Sequence, residues 1–263
     1  MTDGPDFRNG FARPDRSVES LASQALDLLA KRRIVKSVSM SEAHVSALSD
    51  SVLCRSGKMR SQVVSEMRAA GVTLEDIVDH YIPEVARRLG SLWCSDALGC
   101  ADVTIGSARL QGLLRDLSVQ LGYPQNRKNE AGVAVVVLAD EYHTLGAMVM
   151  TSQLRRLGIS VRLMLGVSEQ LALLELRQDR YDAVFISASH TESLEKLSKF
   201  VDKIRRQTKR NTPIALGGPI MAQSKDVKAA TGADVATSDV YEAVRSCRLK
   251  TFHGSSSVTA KLA

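Results

Sequence analysis

A histidine set between a carboxylate and a glycine follows an apolar stretch of the chain, residues 135–150 (VVVLADEYHTLGAMVM). Glu141, His143 and Gly146 come directly after a run of small apolar residues that is typical of a buried strand. An imidazole with a carboxylate on its second nitrogen is suited to binding a metal or another ligand, because the carboxylate fixes the tautomer. A single histidine at a strand end is also often structural, so the spacing of further residues has to decide between the two interpretations.

Two further groups of small polar or glycine residues follow apolar runs farther along the chain. Ser187 and Ser189 come after a third such run, and the pair Gly217-Gly218 comes after a fourth. In an open parallel sheet, ligands bind beyond the carboxyl ends of the strands. If these runs are parallel strands, the three groups converge on one edge of the sheet.

The elements that must position these residues change character halfway along the chain. From about residue 17 to residue 122 the apolar residues recur at intervals of three and four, which predicts a bundle of four or five helices. After residue 132, short β-rich runs alternate with helical stretches, which predicts a parallel sheet covered on both faces. The predicted strands are 132–139, 160–167, 182–189, 212–218 and 233–239. The predicted helices between and after them are 144–157, 168–179, 190–207, 220–230 and one that ends near Cys247.

The predicted fold class is therefore α + α/β: an N-terminal helical bundle followed by a flavodoxin-like (Rossmann-like) five-stranded parallel-sheet domain. The predicted divisions are a disordered arm (1–16), the bundle (17–122), a linker (123–131), the α/β domain (132–250) and a flexible tail (251–263).

Three local signals refine the bundle. A first amphipathic helix includes residues 21–29, and the helical region 41–70 is expected to break near Ser56-Gly57. Thr73 followed by Asp76 predicts a capping box at the start of a third helix. Pro83 lies inside that helical pattern and should kink the helix or shift its start.

Composition limits the classes of protein that this chain can belong to. The chain has 263 residues and a formal net charge of +6, and no apolar run is long enough for a membrane span, so we expect a cytoplasmic protein without membrane contact. Cys54, Cys94, Cys100 and Cys247 form no CxxC motif; reduced thiols are expected, with Cys94 and Cys100 as a weak redox-switch candidate. Their role stays open.

Basic residues cluster at 31–36 and at 196–210. Apolar residues recur at helical spacing inside the second cluster, so most of its charges should lie on a solvated helix face. No zinc-finger spacing and no helix-turn-helix pattern accompany the charge. The basic surface therefore identifies no partner and predicts at most weak or indirect contact with DNA.

The polar residues at the strand ends resemble the fingerprint of the cobalamin (vitamin B12)-binding domain family. That fingerprint is Asp-x-His-x-x-Gly, then Ser-x-Leu/Thr about 40 residues later, then Gly-Gly after fewer than about 30 more. Here Ser187 follows Gly146 by 41 positions, and Gly217 follows Ser187 by 30. The chain departs from the family at Glu141, where Asp is usual, and at Ser189, where Leu or Thr is common. No Asp follows the third strand, so the similar receiver domains of response regulators are set aside.

The resemblance implies roles for these residues. His143 would be the lower axial ligand of the cobalt, in place of the cofactor's own dimethylbenzimidazole. Glu141 (or Asp140) and Ser187 would form the hydrogen-bonded chain behind it. The glycines of the fingerprint would let the nucleotide tail of the cofactor pass close to the backbone; these are Gly146, Gly217 and Gly218.

The helical half resembles that of the AerR/PpaA family, cobalamin-binding antirepressors of photosynthesis genes. The resemblance rests on Trp93, on Asp96 three residues later and on the segment VTIGSARLQ at 103–111, within the layout of a bundle before a cobalamin domain. It implies that Trp93 lies over the upper face of the corrin. Val103 and Thr104 stand where photoreceptors of the CarH type carry a Glu-His pair, so a second histidine ligand of that kind is not implied.

By resemblance, the chain is expected to be a light- or redox-responsive transcriptional regulator and not an enzyme. Its cofactor would be adenosylcobalamin or hydroxocobalamin, and its partner a CrtJ/PpsR-type repressor reached by protein contact. Two alternatives stay open. A corrinoid methyl carrier shares the fold and the histidine ligand, and a haem or redox sensor could use His143 or the cysteines.

Overall fold

The computed structural model describes residues 40–123, 131–139, 141, 143–189, 193–208, 212–222, 224 and 226–251. The helices and strands within these ranges belong to one compact unit, Met40–Ala263. Several predictions lie outside the described residues: the arm 1–16, the first helix, the basic cluster 31–36, most of the linker and nearly all of the tail.

The N-terminal half is helical, as predicted. Its helices are α1 (Glu42–Leu53), α2 (Gly57–Ala69), α3 (Leu74–Asp76), a π-helical segment (Ile77–Tyr81), α4 (Ile82–Cys94) and α5 (Cys100–Leu121). The break predicted near Ser56-Gly57 separates α1 from α2. Apolar residues of five of these elements form the interior of the bundle, and its fully buried side chains include Leu48, Met67, Ile77, Ile82, Leu89, Leu110 and Leu114.

Two sequence signals in the bundle have a defined outcome. At the start of α3, the Thr73 hydroxyl accepts from the Asp76 N–H at 3.0 Å and the Asp76 carboxylate accepts from the Thr73 N–H at 3.3 Å, which confirms the capping box. Pro83 does not break the helix. The π-helical segment lies just before it, and the Ile82 N–H donates to the Ile77 carbonyl. The backbone thus takes up the disturbance of a residue without an N–H by widening one turn.

The second half is a parallel sheet between helices. The strands are β1 (Gly132–Leu138), β2 (Ser160–Val167), β3 (Ala183–Ser187), β4 (Ile214–Gly217) and β5 (Val235–Ala236). In the described residues they form one five-stranded sheet in the order β2-β1-β3-β4-β5, with every neighbouring pair parallel. This is the flavodoxin-like order, so the predicted fold class is confirmed.

The helices of this half are α6 (Thr144–Arg156), α7 (Glu169–Gln178), α8 (Leu194–Gln207), α9 (Val227–Thr231) and α10 (Val240–Ser246). The single helix predicted at 220–230 is wrong in one respect. The structure has a 3-10 turn at Pro219–Ala222 and then the separate short helix α9, whose N-cap is Asp226. The Asp226 carboxylate accepts from the Ala229 N–H at 3.0 Å, and this capping signal marks a new helix start.

The central strands β1 and β3 are buried on both faces, whereas the edge strand β2 is largely exposed. Ala134 and Val136 point to the face covered by α7, α8 and α9, and Val133 and Val135 to the face covered by α6 and α10. This explains why the β-rich runs are continuous rather than alternating.

The bundle packs against the sheet through α6. Gln111 of α5 donates to the Thr144 hydroxyl at 3.0 Å. About two helical turns farther along both helices, the hydroxyls of Ser118 and Ser152 lie 3.0 Å apart. Since both residue numbers rise together along the contact, α5 and α6 run parallel.

The basic cluster on α8 confirms the expectation of a solvated helix face. Leu197, Phe200 and Ile204 are buried. Several of its cations pair with carboxylates: Lys199 with Glu195, Lys203 with Glu169, and Arg205 with Asp234. Among the described residues, no helix is both long enough and apolar enough to cross a membrane.

Candidate functional site

The candidate site lies where β1 and β3 are neighbours in the sheet. The connection after β1 leads outward to β2, whereas the connection after β3 leads the other way to β4. A crevice opens at the carboxyl edge between two such strands, and it is the usual ligand site of this fold. Glu141 is reached by a turn after β1, in which its N–H donates to the Leu138 carbonyl at 3.0 Å.

Glu141 and His143 form a close pair at this edge. One carboxylate oxygen, Oε1, accepts from the His143 backbone N–H at 2.6 Å and contacts the imidazole Nδ1 at 2.7 Å. The Glu141 side chain is 1% exposed and the His143 side chain 65% exposed. A carboxylate that accepts from Nδ1–H leaves the lone pair on Nε2, so the accessible ring presents a nitrogen ready for a metal.

Hydrogen bonds keep Glu141 ionised although it is buried. Burial alone would raise the pKa of its carboxyl group, but hydrogen bonds from the Ser189 hydroxyl and from the N–H and imidazole of His143 outweigh burial and lower that pKa. At Oε2 itself, however, the described residues place no donor in hydrogen-bonding geometry. The observed hydrogen bonds behind His143 end at Glu141, and the buried Ser189 acts on this carboxylate by lowering its pKa.

The other predicted site residues gather at the same edge with different surroundings. Ser187, which the resemblance puts behind His143, is buried, and its hydroxyl lies against Gly218. Gly218 has a φ of +99°, and a Cβ there would lie 2.5 Å from the Ala188 carbonyl oxygen. A Cβ at Gly217 would lie 2.7 Å from the Thr237 carbonyl oxygen. Both glycines are thus required by close packing of the loops after β3, β4 and β5.

Gly146 differs from these two glycines. It lies in the first turn of α6, three residues after His143, and a Cβ there would meet none of the described atoms within 4 Å apart from its own helix backbone and its chain neighbours. This is the open surface of the helix next to the imidazole, where a ligand can approach the backbone. Asp140, the alternative to Glu141, lies outside the described residues.

Trp93 lies beyond the sheet edge that carries His143. Because Gln111 is level with Thr144 and α5 runs parallel to α6, the first ten or so residues of α5 extend past the start of α6 by roughly 15 Å. α4 returns beside this overhang: a Cβ at Gly106 would lie 3.0 Å from the Leu89 side chain. Trp93 is one turn farther out and 52% exposed, on the order of 10–15 Å beyond Thr144.

Gln111 is a residue of this region that sequence analysis did not single out. It ends the segment at 103–111, and its amide joins the bundle to the N-terminus of α6, next to His143. Glutamine on a helix face is common, so only a prediction of which helices pack together could have identified it.

Known proteins resemble this chain at two levels: a family model matches the α/β half, and individual proteins match most of the chain. Residues 131–245 match the family model described as "B12 binding domain". The chain is 39% identical over 178 residues to the "Uncharacterized 20.5 kDa protein in bchF-crtJ intergenic region" of Rhodobacter capsulatus, covering 66% of this chain and 92% of that protein. It also resembles the solved monomethylamine corrinoid protein of Methanosarcina barkeri, with a TM-score of 0.59 at 20% identity, over 75% of this chain and 93% of that one. At this identity the likeness concerns the fold.

The fold and the matched region define a cobalamin-binding protein with a helical N-terminal half. Given the identity shared with the relative from the bchF-crtJ region, the AerR/PpaA locus, the chain belongs to the AerR/PpaA-type family of B12-binding proteins.

The residues at the edge suit a corrinoid. The donor set is one accessible imidazole oriented by a buried carboxylate, and the described residues contain no group of three or more His, Cys, Asp or Glu side chains that could bind a metal by themselves. A metal that brings four of its ligands in a macrocycle needs no more than this from the protein. The open surface at Gly146 and the overhang of α4 and α5 leave space on the same side.

Proposed function

We propose that this protein is a cobalamin-dependent, light- or redox-responsive regulator and not an enzyme. In this proposal it binds adenosylcobalamin or hydroxocobalamin with His143 as the lower axial ligand. Its output is contact with a CrtJ/PpsR-type repressor of photosystem genes. The observation that carries the proposal is the His143–Glu141 pair, because it presents an oriented Nε2 at the carboxyl edge of a B12-binding domain.

In this proposal, each residue at the carboxyl edge of the sheet has a separate role in binding the cofactor. Glu141 holds the imidazole by Nδ1 and by the backbone N–H of the same residue, so the ring is oriented before any ligand arrives. Ser189 keeps the carboxylate ionised and therefore able to accept from Nδ1–H. Preorganisation of this kind increases affinity because little ordering remains to be done on binding.

The helical half provides a means of response. Adenosylcobalamin, when bound, would supply a cobalt–carbon bond that visible light can break. Trp93 is 52% exposed at the end of α4, with room to pack differently in two ligand states. A ligand shifts an equilibrium only through contacts that differ between the two states, and the exposed indole offers one such contact.

The genomic position of the relative supports the proposed contact with a repressor of photosystem genes. That protein is encoded between bchF and crtJ, and among the described residues of this chain no DNA-binding motif accompanies the basic charge. A regulator without its own DNA-reading element acts through a partner, with the basic surface giving at most weak or indirect contact to DNA.

The test is spectroscopic. The full chain is mixed in the dark with adenosyl-, methyl- and hydroxocobalamin, and absorption is recorded before and after white light. We expect retention with base-off, His-on bands and a light-driven change, all lost in His143→Ala. An unchanged bound spectrum in His143→Ala would refute the ligand assignment.

Two controls separate the alternatives. Rapid transfer of the methyl group of methylcobalamin to a thiol acceptor would identify a corrinoid methyl carrier instead. Retention of haem but of no cobalamin would identify a haem sensor. If the light response is present, co-purification with the repressor in the dark and in the light tests the partner.

A further inference from the structure

A partly buried ion pair joins the two halves of the molecule away from the candidate site. Arg156, the last residue of α6, donates to both carboxylate oxygens of Asp79 at 2.7 and 2.5 Å. The two side chains are 16% and 12% exposed, so water screens them little. Asp79 belongs to the π-helical segment of the bundle.

The pair is embedded in polar contacts that also cross between the halves. Arg156 donates from its second terminal nitrogen to the Ser152 hydroxyl at 3.0 Å, and Ser152 in turn contacts Ser118 of α5. Two contacts between the bundle and α6, Asp79–Arg156 and Ser118–Ser152, are therefore linked through the hydrogen bond from Arg156 to Ser152.

This arrangement is not explained by stability alone. Burial raises the pKa of Asp79 above its ordinary value, and the neighbouring Arg156 offsets this only in part. A buried ion pair of this kind is often no more stabilising than apolar residues of the same size, although it does specify one geometry. A role in fixing α6 relative to the bundle explains the buried ion pair better than stabilisation does.

The elements that it fixes are the two that carry the opposite sides of the candidate site. α6 runs from His143, its N-cap, to Arg156. The bundle helix runs from Asp79 in the π-helical segment through α4 to Trp93. The ion pair therefore joins α6 and the bundle helix at the ends that lie opposite to His143 and Trp93.

We propose that Asp79 and Arg156 are positioning residues, which set the height of Trp93 relative to His143 and couple the state of the cofactor to the helical half. The proposal rests on the proposed cobalamin function. The π-helical turn supports it, because an extra residue in one turn changes which face of the helix Asp79 occupies, and in the observed arrangement Asp79 meets Arg156 of α6. Coupling between sites requires such a packed connection with a defined arrangement.

The test uses the double variant Asp79→Asn/Arg156→Gln, which removes both charges and leaves no unpaired ion. Trp93 is the only tryptophan of the chain, so its fluorescence reports one position. Bound hydroxocobalamin absorbs in the range of indole emission and quenches it with a steep dependence on distance, while the cobalamin absorption bands report His143 separately. The matched control is Arg162→Gln, which removes the exposed ion pair with Glu175 in the same half.

In the double variant we expect the His-on bands to persist, the quenching of Trp93 to weaken, and the affinity for hydroxocobalamin to fall by about 2- to 30-fold. Arg162→Gln should match the wild type in all three measurements. If the double variant does not fold, Arg156→Lys is used, since it keeps the charge but has one nitrogen in place of the two that reach Asp79 and Ser152, and the same weakening of quenching is expected.

The outcomes are distinguishable from failure of the proposed function. Wild-type protein that binds no cobalamin would overturn both proposals. Wild-type binding with His-on bands, together with quenching and affinity in the charge-free or Lys variant equal to the wild type, would overturn only the positioning role of Asp79 and Arg156.

Discussion

Two buried carboxylates, Glu141 at the sheet edge and Asp79 at the bundle contact, have pKa values that are shifted in opposite directions. Glu141 accepts from the backbone N–H and the imidazole of His143, and its pKa is lowered. Asp79 contacts a guanidinium, yet its pKa is raised. Burial is the largest influence on both groups, and the result depends on whether the donors around the carboxylate outweigh it.

The partners of the two carboxylates differ as well, and this difference separates a binding site from a structural joint. His143 is mostly exposed, so the ring that Glu141 orients remains accessible. Arg156 is enclosed together with Asp79, so little of either side chain is accessible to a ligand. Removing Glu141 should therefore affect a ligand more than the fold, and removing Asp79 the fold first.

The largest effect on stability is expected at the bundle contact. Asp79→Ala leaves Arg156 partly buried without a counter-charge, which costs about 3 kcal/mol in the free energy of unfolding. Urea unfolding measures it. Glu175→Ala, which removes the exposed partner of Arg162, is the control and should cost about 1 kcal/mol or less. Equal losses in the two variants would show that the enclosure of Asp79 has no energetic consequence.

At the sheet edge the effect should appear in binding. Glu141→Gln keeps the shape but weakens the hold on Nδ1–H, and loss of such a supporting carboxylate lowers affinity for a metal centre by about 10- to 100-fold. Titration with hydroxocobalamin measures it, and Glu195→Gln, an exposed glutamate on α8, serves as the control. Unchanged affinity with unchanged bands would mean that Glu141 does not orient the ligand.

The two carboxylates should also give opposite dependence of stability on pH. The pKa of Glu141 is lower in the folded chain than its ordinary 4.5, so its contribution is complete above 4.5 and is lost as the pH falls through the folded value. The pKa of Asp79 is higher in the folded chain than its ordinary 3.8, so its ionisation costs stability, and that cost disappears as the pH falls. Urea unfolding of wild type, Glu141→Gln and Asp79→Asn on acidification measures both slopes; slopes of one sign would contradict the comparison.

The smallest expected effect concerns the reactivity of a buried thiol, Cys247, whose pKa is raised by burial with no hydrogen-bond donor among the described residues to offset it. Burial, and to a lesser degree the charge of Asp234, raises the pKa of Cys247 to about 11, whereas Cys94 and Cys100 are exposed. Alkylation by iodoacetamide at neutral pH should modify Cys94 and Cys100 first and Cys247 only after unfolding. Peptide mass analysis over time measures the order, and early modification of Cys247 would show that it is accessible.

Much of the fold was predictable because it depends on local patterns. Continuous apolar runs predicted the strands, and Thr73 with Asp76 predicted a helix start that the hydrogen bonds confirm. The 3-10 turn before α9 was missed, since a capping aspartate at 226 is a weak signal inside an otherwise helical pattern.

The candidate site was predictable in its residues but less so in its connections. The intervals between His143, Ser187 and Gly217 predicted that all three lie at one edge of the sheet, and the structure has them there. Which serine affects Glu141 could not be read from the sequence, and in the structure it is Ser189 that lowers the pKa of this carboxylate. Whether these residues bind cobalt as proposed stays a prediction.

By itself, the sequence determined the order of elements, the parallel sheet and the residues at its carboxyl edge, because periodicity and strand-end position are local properties of the chain. Only the tertiary structure decided that Asp79 meets Arg156, that Gln111 meets Thr144, and that Trp93 extends beyond the edge carrying His143. These contacts join residues distant in the chain. Their energies depend on burial and on the parallel packing of α5 against α6, which no local pattern records.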